Sequence, residues 1–225
     1  MKRIALSLST LCFSVIFATA AERPNVLIFL VDDMGLMDTS VPFLADADGK
    51  PETHPLNRHY RTPAMEQLAR TGIRFETFYA NSVCSPSRVS IFTGQDAARH
   101  HTTQWIKPTG NNHGPQGPED WRWNGLSEMG RTLPIMFHEA GYRTLHAGKS
   151  HLGPIGSKAE DPANIGFDVN IGGGAMGRPE SYYAEDHFGS KEGPKLHAVP
   201  GLEKYHGEDI YLTEVLTKEM SAAIE

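Results

Sequence analysis

The sequence predicts an α/β fold in which helices flank a central, mostly parallel sheet. One observation is a continuous apolar run at residues 25–31, which follows Pro24 and ends at Asp32-Asp33. Such runs are typical of a strand that is covered on both faces. The other is that segments with helix start and stop signals alternate with further apolar runs, and this alternation is typical of α/β proteins.

The next two elements follow at residues 62–79. Thr62 is a predicted N-cap, Pro63 stands at the first helical position, and Gly72 closes the helix. The apolar run at residues 73–79 is a second strand candidate. A helix and a strand are therefore expected in succession.

A second helix is predicted over residues 86–92, with Gly94 ending it. This places Cys84 just before a helix N-terminus, where free N–H groups and the helix dipole favour negative charge.

The later elements repeat the pattern. Thr132 caps a short helix that Gly141 ends, and residues 142–147 form the next predicted strand. From Ile210 the apolar residues follow helical spacing to Glu225 without a stop signal, so we expect the chain to be a fragment of a longer protein.

Polar residues follow two of the predicted strands, Asp32-Asp33 after the first and Lys149-Ser150-His151 after the third. Ligands of α/β folds bind beyond the carboxyl ends of strands, so both groups should lie at one rim. Adjacent carboxylates stay ionised at low cost beside a cation, and Ca²⁺ prefers such oxygen ligands. The alternative is a solvated turn in which Asp33 caps the residues after it.

The N-terminus predicts export. Two basic residues precede a short apolar run and a small-residue cleavage site, which indicates a signal peptide at residues 1–21 and a periplasmic or secreted protein. No segment is long and apolar enough for a membrane anchor. The net charge of −6 argues against a nucleic-acid partner. Residues 22–225 then form one predicted domain.

Removal of the leader leaves Cys84 as the one cysteine, in the run Ser-Val-Cys-Ser-Pro-Ser-Arg-Val-Ser-Ile-Phe-Thr-Gly at residues 82–94. A single thiol in an exported protein cannot form an internal disulfide and tends to oxidise, so its presence indicates a specific role. The Cys-x-Pro-Ser-Arg spacing, the apolar pair and the Thr-Gly ending resemble the maturation signature of the type I sulfatases. The plain alternative is a buried cysteine that packs as a small hydrophobe.

A second run, residues 141–153, resembles the second sulfatase signature, although Ser150 replaces the usual aromatic residue. The resemblance implies that a maturation enzyme oxidises Cys84 to Cα-formylglycine and that Asp32, Asp33 and residue 84 bind one Ca²⁺. It also implies that Lys149 contacts the sulfate and that His151 holds the formylglycine hydroxyl.

The resemblance covers Glu22 to the last residue and implies the N-terminal part of an alkaline-phosphatase-like α/β sandwich. Two carboxylates and one formylglycine oxygen supply at most about five donor atoms, fewer than Ca²⁺ usually takes. The fragment alone is therefore expected to be inactive.

The negative charge of a sulfate monoester suggests how these residues would catalyse its hydrolysis. A sulfate monoester requires cations at its oxygens and an activated oxygen nucleophile, and we expect Ca²⁺ and Lys149 to meet the first need. Arg88 is expected to stabilise the ionised oxygen of residue 84. His151 is expected to take the proton whose loss expels sulfate.

The predicted function is hydrolysis of sulfate monoesters, on a sulfated carbohydrate or an aryl sulfate ester. The alternatives are a phosphate or phosphonate monoester hydrolase of the same superfamily and, if Cys84 is unmodified, a non-catalytic sulfoglycan-binding protein. Some residues receive no catalytic role here, namely His100-His101, Trp105, Trp121, Trp123 and the glycine run at residues 170–174.

Overall fold

A computed structural model describes residues 23–115, 118–126, 130–193 and 195–225. The chain divides into two units, residues 1–32 and residues 33–225. The predicted signal peptide at residues 1–21 lies outside the described residues. Within the described ranges, no helix is long and apolar enough to cross a membrane.

The second unit contains five α-helices and two small sheets among its described residues. The helices are α1 (Pro63–Thr71), α2 (Cys84–Thr93), α3 (Ala97–His100), α4 (Leu133–Glu139) and α5 (Leu212–Ile224). The strands are β1 (Leu44–Ala45), β2 (Pro51–Glu52), β3 (Leu145–Ala147) and β4 (Val169–Ile171). Short 3₁₀ helices occupy Pro55–Arg58, Lys158–Glu160, Pro162–Ile165, Ala184–Gly189 and Glu203–Tyr205.

The strands pair in two ways. β1 and β2 are antiparallel, whereas β3 and β4 are parallel, with Leu145 opposite Val169 and Ala147 opposite Ile171. The described residues thus confirm an α/β composition with one parallel pair, and the central sheet stays a prediction.

Two predicted strands are wrong. Residues 25–31 and 73–79 carry no strand, and their large apolar side chains are exposed, with Phe29 82% exposed and Phe78 82% exposed. A buried parallel strand gains its stability from hydrogen bonds to neighbours and from cover on both faces. Among the described residues neither run has a strand partner, so apolar character alone does not make a strand.

The predicted helices are confirmed, with changes at their ends. Thr62 and Thr132 precede α1 and α4, but neither side chain caps its helix. The Thr62 hydroxyl instead contacts the Thr39 hydroxyl at 2.8 Å, and the Thr132 hydroxyl donates to the Ile165 carbonyl at 2.6 Å. The side chains of both threonines therefore join distant segments rather than cap a helix.

Two apolar clusters position the candidate site. One packs α5 against β4 and consists of Ile171, Met176, Ala184, Phe188, Val199, Leu202, Tyr205, Leu212 and Val215. The other lies beneath α2 and consists of Val89, Leu126, Leu152, Ala159 and Ile165. Burial of such side chains contributes roughly 1.5–3 kcal/mol each. The clusters therefore hold α2 and the β3–β4 pair in place.

Candidate active site

Cys84 is the first residue of α2, not the residue before the helix as predicted. Val83 occupies the cap position with an extended backbone, and its side chain cannot supply a capping hydrogen bond. Gly94 ends the helix in the left-handed conformation, at φ 67°. The half-buried thiol therefore stands at the N-terminus of a ten-residue helix, where the helix dipole favours negative charge.

The segment after β3 carries the second motif. Because β3 and β4 are parallel, Lys149-Ser150-His151 and Gly172-Gly173-Gly174 follow strands at the same edge. The Ser150 hydroxyl and the His151 N–H both bind the Gly174 carbonyl, at 3.2 Å and 3.1 Å. Ser150 is fully buried, so this position accommodates a small hydrogen-bonding side chain rather than an aromatic ring.

His151 connects the two motifs. Its side chain is 1% exposed, and its Nδ1 lies 3.4 Å from the Cys84 Sγ and 3.3 Å from the Ser85 Oγ. Its Nε2 lies 2.6 Å from the Ile106 carbonyl oxygen, which can only accept a hydrogen bond. Nε2 therefore carries the proton, and in the neutral ring the Nδ1 lone pair faces Cys84 and Ser85.

Three groups around this ring were missed by the sequence analysis. Ser85 is fully buried, and its hydroxyl also accepts the Ile106 N–H at 3.0 Å. A Cβ on Gly177 would lie 2.7 Å from the His151 Cε1, so only glycine leaves room for the ring. Ile106 acts through its backbone, which no side-chain pattern reveals.

Arg88 lies one helical turn after Cys84 and is buried. Its Nη1 donates to the Lys149 carbonyl oxygen at 2.6 Å, so the first motif holds the backbone of the second. This bond uses one of the five N–H donors of a guanidinium. Lys149 itself is half-buried.

His146 adds no positive charge at neutral pH. Burial lowers the pKa of His146 to about 4, and the charge of Arg88 acts in the same direction, against the hydrogen bond to Asn170. The His146 Nδ1 lies 3.3 Å from the Asn170 Oδ1. His146 is therefore not a further cation beside Arg88 and Lys149 in the charge balance of this segment.

Asp32 and Asp33 form an exposed turn and do not follow a strand as predicted. Asp33 has φ 54°, a left-handed conformation that aspartate tolerates better than most residues. Within the residues that the structure describes, no three His, Cys, Asp or Glu side chains form a metal-binding group. The two carboxylates are the right kind of donor for a hard divalent cation but do not complete a shell of six to eight oxygens.

Comparisons with known proteins identify the family. The family model described as Sulfatase matches residues 24–224. The chain belongs to the sulfatase family. It is 34% identical to arylsulfatase G of Rattus norvegicus over 71% of this chain and 26% of that protein, and 33% identical to N-acetylgalactosamine-6-sulfatase of Canis lupus familiaris over 69% and 26%. It is 26% identical to an arylsulfatase of Klebsiella aerogenes over 100% of this chain and 44% of that protein.

The chain of this sulfatase thus spans about a quarter to less than half of the length of these relatives. The matched region contains both motifs, Cys84–Arg88 and Lys149–His151, and the Asp32-Asp33 turn.

The residues without a predicted role have structural contacts in this sulfatase. His100 is buried, with its Nε2 3.0 Å from the Ser90 Oγ on α2, and burial lowers its pKa. His101 packs on Trp121 with 4.5 Å between ring centroids. The glycine run after β4 supplies the Gly174 carbonyl described above, so it supports the His151 segment.

Proposed function

We propose that the complete protein hydrolyses sulfate monoesters and that residue 84, oxidised to formylglycine, supplies the nucleophile. Membership of the sulfatase family supports the reaction class. The observation that carries the residue assignment is the 3.4 Å contact between the Cys84 Sγ and the His151 Nδ1. It joins the two motifs that the sequence separates by more than sixty residues.

Formylglycine, when hydrated, supplies an oxygen nucleophile and a second hydroxyl whose loss of a proton releases sulfate. Because this oxygen would be bonded to the Cβ of residue 84, as Sγ is in cysteine, the surroundings of the Cys84 Sγ support the assignment of its neighbours. A maturation enzyme that acts on the Cys84–Arg88 motif is therefore a required partner of this proposal.

His151 is the proposed base. With Nε2–H held by the Ile106 carbonyl, the Nδ1 lone pair can accept a proton only from the side of Cys84 and Ser85. A base fixed in one tautomer and within hydrogen-bond reach of the group on residue 84 meets the geometric requirement for general base catalysis.

Arg88 and Lys149 are the proposed cations of the site. Arg88 keeps its charge at every accessible pH and lies one helical turn after Cys84 on α2, so we assign to it the stabilisation of negative charge on residue 84. Lys149 carries the ammonium that we assign to a sulfate oxygen, and its carbonyl orients Arg88. Positive charge that is already in place where negative charge develops is the main electrostatic requirement of such a site.

Asp32 and Asp33 are the proposed protein ligands of one Ca²⁺, with residue 84 as a third. Two carboxylates provide hard oxygen donors of the kind that Ca²⁺ prefers. When bound, the cation supplies positive charge at the sulfate oxygens.

A sulfated carbohydrate is the proposed substrate, with simple aryl sulfates as poorer ones. Two relatives are named as arylsulfatases and one as N-acetylgalactosamine-6-sulfatase. We further propose that residues 1–21 direct export to the periplasm or the medium. Residues 22–225 would then form the N-terminal part of the catalytic domain with its central sheet.

Two measurements on the complete protein, matured in its own host, test the proposal. Intact-mass analysis should find residue 84 about 18 Da lighter than cysteine, the change from CH₂SH to CHO. Turnover of sulfate esters should exceed that of matched phosphate esters. Faster phosphate turnover would favour the phosphohydrolase alternative, and an unmodified thiol with no turnover would favour a binding protein.

Two variants test the proposed roles of Cys84 and His151. Cys84→Ala and His151→Gln should each lower kcat/KM by at least about 10³-fold, as removal of a nucleophile or its base does in other hydrolases. His59→Gln, at an exposed histidine outside the site, is the matched control. Full activity of the Cys84→Ala protein would overturn the proposal.

A further inference from the structure

A cavity of about 350 Å³ opens beside α3 and the loop that precedes Leu126. It is lined by polar and charged groups, among them Arg99, His100, His101, Asp120, Arg122 and Asn124. None of these residues has a role in the proposed reaction.

The charge of the lining favours an anion. Arg99 and Arg122 line the cavity with Asp120, the one carboxylate among the described lining residues, and the Arg122 Nη1 donates to the Glu119 carbonyl oxygen. In the part of the chain that the structure describes, neither arginine forms an ion pair with a carboxylate. Guanidinium forks match the planar or tetrahedral oxygens of carboxylate and sulfate.

The backbone of the cavity wall is held by hydrogen bonds. The buried Thr102 hydroxyl accepts the Gly125 N–H at 3.1 Å, and the Thr102 N–H donates to the His100 Nδ1 at 3.1 Å. The Trp121 indole N–H donates to the His101 carbonyl at 2.7 Å. The two sides of the cavity are therefore joined, as a preformed site requires.

The same wall leads to the candidate active site. The Leu126 N–H, next to Gly125, donates to the carbonyl of Leu152, the residue after His151, at 2.8 Å. His100 contacts Ser90, six residues after Cys84 on α2 and thus about 9 Å along the helix axis. The cavity wall is thus in contact with α2 and with the segment after β3, the two elements that carry Cys84 and His151.

We infer that the cavity is a subsite for a second anionic group, a sulfate or a carboxylate, on an acidic oligosaccharide whose sulfate ester is cleaved at residue 84. The inference rests on the proposed function. It makes this protein selective for glycans with anionic groups on more than one sugar.

The test compares disaccharides that carry the same cleavable sulfate and, on the neighbouring sugar, a second sulfate, a carboxylate or a neutral hydroxyl. The complete, matured protein should show a higher kcat/KM for one or both anionic substrates than for the neutral one. The ratio of kcat/KM for the anionic over the neutral disaccharide should fall about tenfold in Arg99→Gln and in Arg122→Gln, because each variant loses one charge-assisted hydrogen bond. Arg58→Gln, an exposed arginine outside the lining, should leave the ratio unchanged.

Asp120→Asn provides a test in the opposite direction. Removal of the Asp120 carboxylate should raise the ratio of kcat/KM for the anionic over the neutral disaccharide by about threefold, because this carboxylate repels the bound anion. A preference for only the sulfate or only the carboxylate identifies the natural group. Equal kcat/KM for all three disaccharides would overturn the inference, whereas no hydrolysis of any of them would overturn the proposed function itself.

Discussion

β3 and the apolar run at residues 25–31 are both predicted as strands from the sequence but differ in structure. β3 pairs in parallel with β4, and α5 packs over both strands. Residues 25–31 have no strand partner among the described residues, and Leu27 and Phe29 are mostly exposed. The run at residues 25–31 is richer in β-branched and aromatic residues than Leu145-His146-Ala147, so pairing and cover rather than β-propensity account for the difference.

This difference shows which contacts determine the geometry of the candidate active site. The segment after β3 is fixed by hydrogen bonds to Gly174 and to Arg88, and it presents His151 to Cys84. The Asp32-Asp33 turn follows an unpaired run and contributes two exposed carboxylates. The contacts of Cys84 and His151 are thus built by packing, whereas the metal-binding role of Asp32 and Asp33 is a proposal from their chemistry.

The largest effect on stability is expected in the paired region. Ile171, at the end of β4, is 8% exposed and packs in the α5 cluster. Ile171→Ala should lower the free energy of unfolding by about 2–4 kcal/mol, because it removes buried methyl groups and leaves a cavity. Urea unfolding of the complete protein measures this value, and a loss below about 1 kcal/mol would contradict the packing described here.

A smaller effect is expected at Gly177. A Cβ there would lie 2.7 Å from the His151 ring, which the Ile106 carbonyl holds on its other side. Gly177→Ala should therefore displace the ring, lower kcat/KM by about 10–100-fold and lower the free energy of unfolding by about 1–3 kcal/mol. Gly130→Ala is the matched control, because a Cβ at Gly130 meets nothing within 4 Å. Equal activity of the two variants would refute a steric role for Gly177.

His146 in β3 should make stability depend on pH. Its pKa is lowered to about 4 by burial, so the unfolded chain binds more protons than the folded chain between pH 6.5 and 4. Stability should fall as the pH falls through this window, by on the order of 2 kcal/mol after allowance for partial solvent exposure. Thermal or urea unfolding across this pH range measures the slope.

His146→Gln should reduce that slope but not abolish it, because burial also lowers the pKa of His100. His59→Gln, at an exposed histidine, is the control. An unchanged slope in the His146→Gln protein would show that His146 is not the group responsible.

Sequence reasoning succeeded where the signal is local. Pro63, Gly72 and Gly94 mark helix ends through backbone rules, and the Cys84–Arg88 spacing identified the family that the comparisons show. It could not find Ser85 or Gly177 as neighbours of His151, because those contacts join segments far apart in the chain.

The same limit explains the wrong strands. Residues 25–31 and 73–79 have the composition of buried strands, but a strand exists only where another segment offers its backbone. Nothing in the composition of either run specifies that partner. By contrast, the β3–β4 pair is supported by Thr144, whose N–H donates to the Asp168 carboxylate at 2.7 Å just before both strands begin.

The smallest effect is expected in the unpaired run, and it tests the comparison most directly. Phe29 is 82% exposed, so Phe29→Ser should change the free energy of unfolding by no more than about 0.5 kcal/mol, as surface substitutions do. The measurement is urea unfolding of the complete protein beside the Ile171→Ala variant. A loss as large as that of Ile171→Ala would mean that Phe29 is covered in the complete protein. In that case β3 and the run at residues 25–31 would both have a partner. They would differ only in which part of the protein supplies it.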